Sequence, residues 1–429
     1  MPRFRLLAAA AGVSFLLVGV GLAGASRAPK VVLVSRCGGV NAEVEQAVDG
    51  RYVYEAWIGC RGIGFARSVD GGRTFGASKH VPDTGHLWDP AVAVAPDGTV
   101  YVSYMISTRT ADGVLELTPA VAVSLDHGRS FARVSHLPVP TPPDATGNWG
   151  DREFIAVGAD GTVYVTWDYG PSAAEVTTQC YPGGSCAFSG GDFNAVIQKS
   201  TDGGKTWTMP TPITPGYPLG GVYSAPIVVE PDGTLGVLYL GHPTDPSTLA
   251  VGPGTQYFTD SADGGATWSA PIPVGSGAGS VALTTWWIDG SLAVDPAGNL
   301  YATWDTQNAG TDTGWLATST DGGQTWSSPL RVTSGSTARL VQVAAAGAGN
   351  IYVGWQARVP HRGYATYLRR RTAAGWTGPS KRISRKYGSK SIWPGDTLGL
   401  SSSGGHAIFS WGSNQEIYAT RTTLPGHRS

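Results

Sequence analysis

Ser200-Thr201-Asp202-Gly203-Gly204-Lys205-Thr206-Trp207 is the stretch on which the fold turns. An Asp can accept backbone N–H bonds two residues on, glycines supply backbone angles with positive φ, and a closing Trp is large and apolar. The segment therefore reads as a turn pinned into its hairpin by the Trp. It returns as Ser68–Phe75, Ser124–Phe131, Ser261–Trp268 and Ser319–Trp326, placing aspartates at 70, 126, 202, 263 and 321. A worn sixth copy lies at Thr372–Trp376. Copies this alike identify a repeat architecture, and the boxed aspartates are expected to be structural rather than catalytic.

A second pattern alternates with the first. Asp89-Pro90 leads into an apolar run, then Asp97-Gly98, then Thr99-Val100-Tyr101-Val102. The same strand–Gly turn–strand logic recurs at Val44–Trp57, Ile155–Trp167, Ile227–Tyr239, Leu292–Trp304, Val343–Trp355 and Leu398–Trp411. These are seven β-hairpins. Each is expected to gain a third strand and an outer fourth strand, which makes a propeller blade. The last hairpin has a third strand, Glu416–Thr423, and then the chain runs out. Its fourth strand is expected from Lys30–Ser35, joining the two ends of the chain into a closed ring without open sheet edges. The fold class is thus all-β, a seven-bladed propeller, with six blades as the alternative.

The composition agrees. Only 14% of residues are charged, with 61 Gly and 15 Trp, and Lys+Arg (30) balances Asp+Glu (31) at a net charge of -1. That balance favours neither nucleic acid nor an anionic membrane as partner. Arg3 and Arg5 precede an apolar stretch, Leu6–Ala25, that ends in Ala23-Gly24-Ala25. This is the pattern of a signal peptide over residues 1–25, with Ser26 as the first mature residue, or of an N-terminal anchor if it is retained. Residues 26–429 are expected to be one propeller domain, secreted, monomeric and without a membrane span once the signal is cut. The four cysteines of an exported chain are expected to pair as Cys180–Cys186, around a short Gly-rich loop, and Cys37–Cys60. No His/Cys grouping has metal-ligand spacing, so neither a metal nor a cofactor is expected. The basic run Arg369-Arg370-Arg371 with Lys381, Arg382, Arg385 and Lys386 reads as a solvated strand face.

The S-x-D-G-G-x-T-W segments resemble the Asp boxes, or BNR repeats, of the bacterial sialidase superfamily, and the resemblance covers the mature chain. It implies a propeller fold and contact with glycans or glycoconjugates. A sialidase would further imply three arginines on a substrate carboxylate, a Tyr nucleophile with a Glu partner, and an Asp acid/base. The first of those arginines belongs to an Arg-Ile-Pro-like segment, where this sequence has Ser35-Arg36-Cys37-Gly38-Gly39.

In a propeller the starts of the inner strands share a face with the turns joining second and third strands, and a ligand site is expected there, over the channel. An acidic column, Asp89, Asp151, Asp289 and Asp396, sits at those starts. Two carboxyl groups facing one pocket can serve as acid and base or nucleophile in glycoside cleavage. The candidates for that chemistry are Asp89, Asp151, Glu153 and Asp289. Arg152 and Arg339 could hold a sugar carboxylate in fork geometry. Trp88, Trp149, Tyr223, Trp286 and Trp287 could pack on a sugar ring, and Glu43 and Glu45 form a further acidic pair. The insertion Asp168–Asp192 could wall the pocket. Two functions follow: a secreted glycoside hydrolase of exo-sialidase type, or a non-catalytic propeller that binds a glycan or protein at the cell surface.

Overall fold

The computed structural model describes residues 29–424 apart from 84, 181–185, 192, 215–221, 224–225, 242–253, 275–289, 309–310, 334–337 and 390–394, and without the side chains of 177–180, 186–191, 222–223, 307–308 and 311. Residues 1–25, read as a signal peptide, lie outside that range.

Seven antiparallel sheets follow one another around a ring. Blade 1 is Ala42–Asp49, Tyr52–Gly59, Gly62–Ser68 and Lys79–His80. Blade 2 is Leu87–Val94, Val100–Arg109, Leu115–Ser124 and Arg133–His136. Blade 3 is Trp149–Val157, Val163–Gly170, Asn194–Ser200 and Thr211–Pro212. Blades 4, 5 and 6 start their inner strands at Val222, Ser291 and Ala338. Blade 7 is Gly399–Ser403, His406–Ser413 and Glu416–Thr422, completed by Val31–Leu33 from the other end of the chain. The register Val31↔Thr420, Val32↔Ala419, Leu33↔Tyr418 is the expected ring closure. The blade count is seven, not six.

Each inner hairpin carries apolar residues on both faces, because a blade is packed between two neighbours. Trp57, Tyr54, Phe65, Tyr104 and Trp167 are almost wholly buried and fill the gaps between blades. The five complete boxes are built alike. Asp126 is typical: its Oδ1 accepts the amides of Arg129 and Ser130 and the Ser124 hydroxyl, and its Oδ2 accepts the Ser130 hydroxyl. The boxed Asp thus captures amides three and four residues on, which corrects the two-residue turn read from sequence. That shorter turn occurs instead at the inner hairpins, where Asp97, Asp160 and Asp232 accept the amides of Thr99, Thr162 and Thr234. Ser124 Oγ accepts the Gly128 amide, and the same Ser–Gly bond recurs in the other four boxes.

Cys37 and Cys60 form the expected disulfide. Cys180 and Cys186 face each other in register across the two-stranded insertion Val176–Cys180/Cys186–Gly191, with their side chains outside the described atoms. The basic run is a solvated face only in its second half, where Arg382, Arg385 and Lys386 are exposed; Arg370 is buried and the Arg369 guanidinium lies 4.2 Å over the Trp376 ring. The aliphatic stems of these arginines pack as apolar material. Among the described residues no helix is long and apolar enough to cross a membrane.

Candidate functional site

The inner strands begin with a repeated irregularity. Pairing slips between Ala42 and Val44, Trp88 and Ala91, Asp151 and Phe154, and Arg339 and Gln342, in blades 1, 2, 3 and 6. At each slip one non-glycine residue is left-handed: Glu43 (φ 53°), Asp89 (φ 47°), Arg152 (φ 55°) and Leu340 (φ 55°). Such bulges re-aim side chains, and a left-handed non-glycine residue persists only where surrounding contacts hold it. Here they turn Glu43, Asp89 and Arg152 toward one another across neighbouring blades.

Arg152 is the centre. Its Nη1 and Nη2 each lie 3.2 Å from an oxygen of Asp396, and its backbone N–H donates to Asp89 Oδ2 at 3.3 Å. Asp89 also shares side-chain hydrogen bonds with Glu43 and Asp151. Glu43, Arg152, Glu153 and Asp396 are buried at 3, 8, 4 and 8% exposure, whereas Asp89 and Asp151 are half-buried and form the water-facing edge. Neither carboxylate oxygen of Glu153 meets a donor from another residue among those described.

Burial and crowding split these acids into two kinds. Burial, then the charges of Asp396 and Asp89, push the Glu43 carboxyl well above its ordinary range. Burial, then Asp89, do the same to Asp151 and Glu153. Burial works on Asp89 too, but Arg152 and the hydrogen bonds from Glu43, Asp151 and the Arg152 amide outweigh it, so Asp89 sits below the usual range. One carboxylate is therefore held ionised against acids that keep their protons, an arrangement suited to proton transfer. Glu43, Asp89 and Asp151 interact strongly enough to titrate together.

The structure thus brings together Asp89, Asp151, Arg152 and Glu153 of the expected set, with Glu43 and Asp396 of the wider acidic column. Arg339 stands apart: its Nε is 2.7 Å from Asp312 Oδ2, tying blade 6 to blade 5. Trp88 and Trp149 are half-buried at the starts of their strands, with Trp88 packed 5.0 Å from the His86 ring. Asp289, Trp286, Trp287 and the Tyr223 side chain lie outside the described atoms.

Glu55, on the second strand of blade 1, was not singled out by sequence. It is fully buried, its Oε1 accepts Gln46 Nε2 at 2.6 Å, and burial pushes it up to about 8. The signal was there, a lone acid in the apolar run Tyr52-Val53-Tyr54-Glu55-Ala56-Trp57-Ile58.

The BNR/Asp-box repeat family matches residues 198–209, the box around Asp202. The chain is a seven-bladed β-propeller that carries the BNR/Asp-box repeat. No curated protein matches its sequence. Among solved structures, the propeller is similar to a protein of unknown function from Dyadobacter fermentans (TM-score 0.53, 15% identity, covering 92% of this chain and 98% of that one). It is also similar to a polysaccharide lyase, the ulvan lyase PL25 (TM-score 0.59, 14% identity, 92% and 96%), and to NanB solved with optactamide (TM-score 0.51, 9% identity, 86% and 83%). At such identities the likeness of the Asp-box propeller is one of fold.

Proposed function

We propose that this Asp-box propeller is an exported glycoside hydrolase acting on extracellular glycans, with Asp151 as proton donor and Asp89 as the ionised carboxylate. The observation that carries the reading is the convergence of Asp89, Asp151 and Glu153 on Arg152, with Asp89 and Asp151 at the less buried edge and their acidities pushed in opposite directions. Carbohydrate as the substrate class is supported by one similar structure, the polysaccharide lyase PL25 ulvan lyase, also solved bound to -[GlcA(1-4)Rha3S]-. Export is supported by the apolar stretch Leu6–Ala25 and the Cys37–Cys60 bridge. Carboxyl groups that flank a scissile glycosidic bond stand about 5 Å or more apart. The Asp89–Asp151 pair, hydrogen-bonded in the free protein, must part when a sugar enters.

The second reading, a non-catalytic glycan- or protein-binding propeller, is favoured by the Arg152–Asp396 fork, which already occupies the arginine a substrate carboxylate would need. One experiment separates the two. The mature protein is assayed on fluorogenic glycosides, sialosides included, and on acidic polysaccharides, beside Asp151→Asn and Glu153→Gln. The hydrolase reading expects turnover that Asp151→Asn lowers by about 100-fold or more. A folded wild type without turnover on any substrate establishes the binding reading instead.

A further inference from the structure

On the opposite face, where blades 7 and 1 meet, a cleft of about 270 Å³ is lined by three arginines, Arg51, Arg73 and Arg421, and one acid, Asp70. Asp70 offsets only one of the three charges, and its oxygens are taken up by its own box: Oδ1 accepts Ser68 Oγ and the amides of Arg73 and Thr74, and Oδ2 accepts Thr74 Oγ1. Gly50, Gly71 and Gly404 also line the cleft, and side chains there would narrow it.

The seam departs from two others that also place a cation there. One residue before the box serine, Arg67 of blade 1 donates to the His127 carbonyl of the next blade's box at 2.8 Å, and Lys199 of blade 3 donates to the Gly264 carbonyl at 2.8 Å. Arg421 holds the same place in blade 7 and lies against Gly71 of the blade 1 box. Its Nη2 instead turns to His406 Nδ1 at 2.8 Å, an atom that the Gly404 carbonyl also approaches at 2.8 Å. That nitrogen can serve only one of them. Burial, then Arg73, lower the Arg421 basicity, as expected where two guanidinium groups are crowded together. Arg73 and Arg51 are exposed, and they donate to the Asp70 carbonyl and the Tyr52 hydroxyl.

We infer that this cleft is an anion site for a phosphate or sulfate ester, held by Arg73 and Arg421, which crowd together at Gly71, and by Arg51 at its wall. Guanidinium forks match the oxygens of such esters, and three arginines against one acid leave a net positive charge that gives the site its sign. The site is independent of the acid cluster around Arg152, which occupies the other face.

The test is calorimetric titration of the mature protein with sodium phosphate and sodium sulfate at constant ionic strength, beside Arg51→Ala and Arg73→Ala, whose exposed side chains can be removed without opening the core. Saturable binding that each variant weakens by about tenfold is expected. Arg421→Gln, folded by circular dichroism, should weaken it as well. Absence of saturable binding, or equal binding by the Arg51→Ala/Arg73→Ala double variant, overturns the site. Dextran sulfate against neutral dextran then distinguishes the source: a gain over free sulfate indicates a polymer-borne ester, and parity indicates the free ion.

Discussion

Arg152 and Asp396 face each other across the central channel with two parallel N–O contacts of 3.2 Å, although their blades, the third and the seventh, are not neighbours in the ring. The pair therefore braces the half of the ring that contains blades 1 and 2.

Removing one partner should leave a buried charge uncompensated. Arg152→Met is expected to cost about 3–5 kcal/mol, the range for breaking a buried ion pair. Asp396→Asn should also be costly, and the double variant should lose less than the two added together. Urea unfolding of the four proteins measures this, and strict additivity would show that the two groups are not coupled.

Stability should peak in mildly acidic solution. Glu55 is raised from 4.5 to about 8 by burial. Below its ordinary value both folded and unfolded chains carry that proton, and the contribution is complete. Between 4.5 and about 8 only the folded chain keeps it, so stability falls as pH rises. The boxed aspartates act at the other end: hydrogen bonds led by the Thr325 hydroxyl lower Asp321 to about 2, so its contribution is lost as pH falls through that value. A melting-temperature profile is expected to be highest at about pH 4–5, and Glu55→Gln to flatten its alkaline side. A profile level from pH 5 to 8 in the wild type would contradict the assignment.

Gly323→Ala should be severe for one residue. Gly323 has φ 82°, and an added Cβ would overlap the ring of Phe258, which is fully buried. Left-handed strain and overpacking together should cost about 2–4 kcal/mol. Gly322→Ala, with a similar φ of 66° but open space around it, should cost less. Comparing their melting temperatures separates strain from collision.

Reduction of Cys37–Cys60 opens a loop with a sequence separation of 23. Loop-closure entropy puts the cost at about 3 kcal/mol. Cys37→Ser/Cys60→Ser should show it as a lower urea midpoint, with the seven-bladed fold intact by circular dichroism.

The architecture was legible in sequence because its determinants are local. Five boxes and seven hairpins each carry their own turn residues, and even the ring closure followed from a blade one strand short. The site was legible only as a neighbourhood. Asp89 and Asp151 stood out as an acidic column at the starts of the inner strands, with Arg152 and Glu153 beside it, yet their convergence depends on left-handed bulges at residues that are not glycine. Nothing in the side chain of Arg152 announces that conformation, since tertiary contacts impose it. Arg339 looked equivalent to Arg152 by type and position, but Asp312 on the adjoining blade claims it. That contact joins residues of different blades, beyond the reach of any local pattern.

The pairing of Val31–Leu33 with Glu416–Thr422 also sets how the molecule can be oriented on a support. The polypeptide enters the first of these strands and leaves the second on the Asp-box side. A tether, tag or anchor at either terminus would therefore draw that side toward the surface it is fixed to. The acid cluster around Arg152 would then look outward, toward whatever polymer approaches from solution.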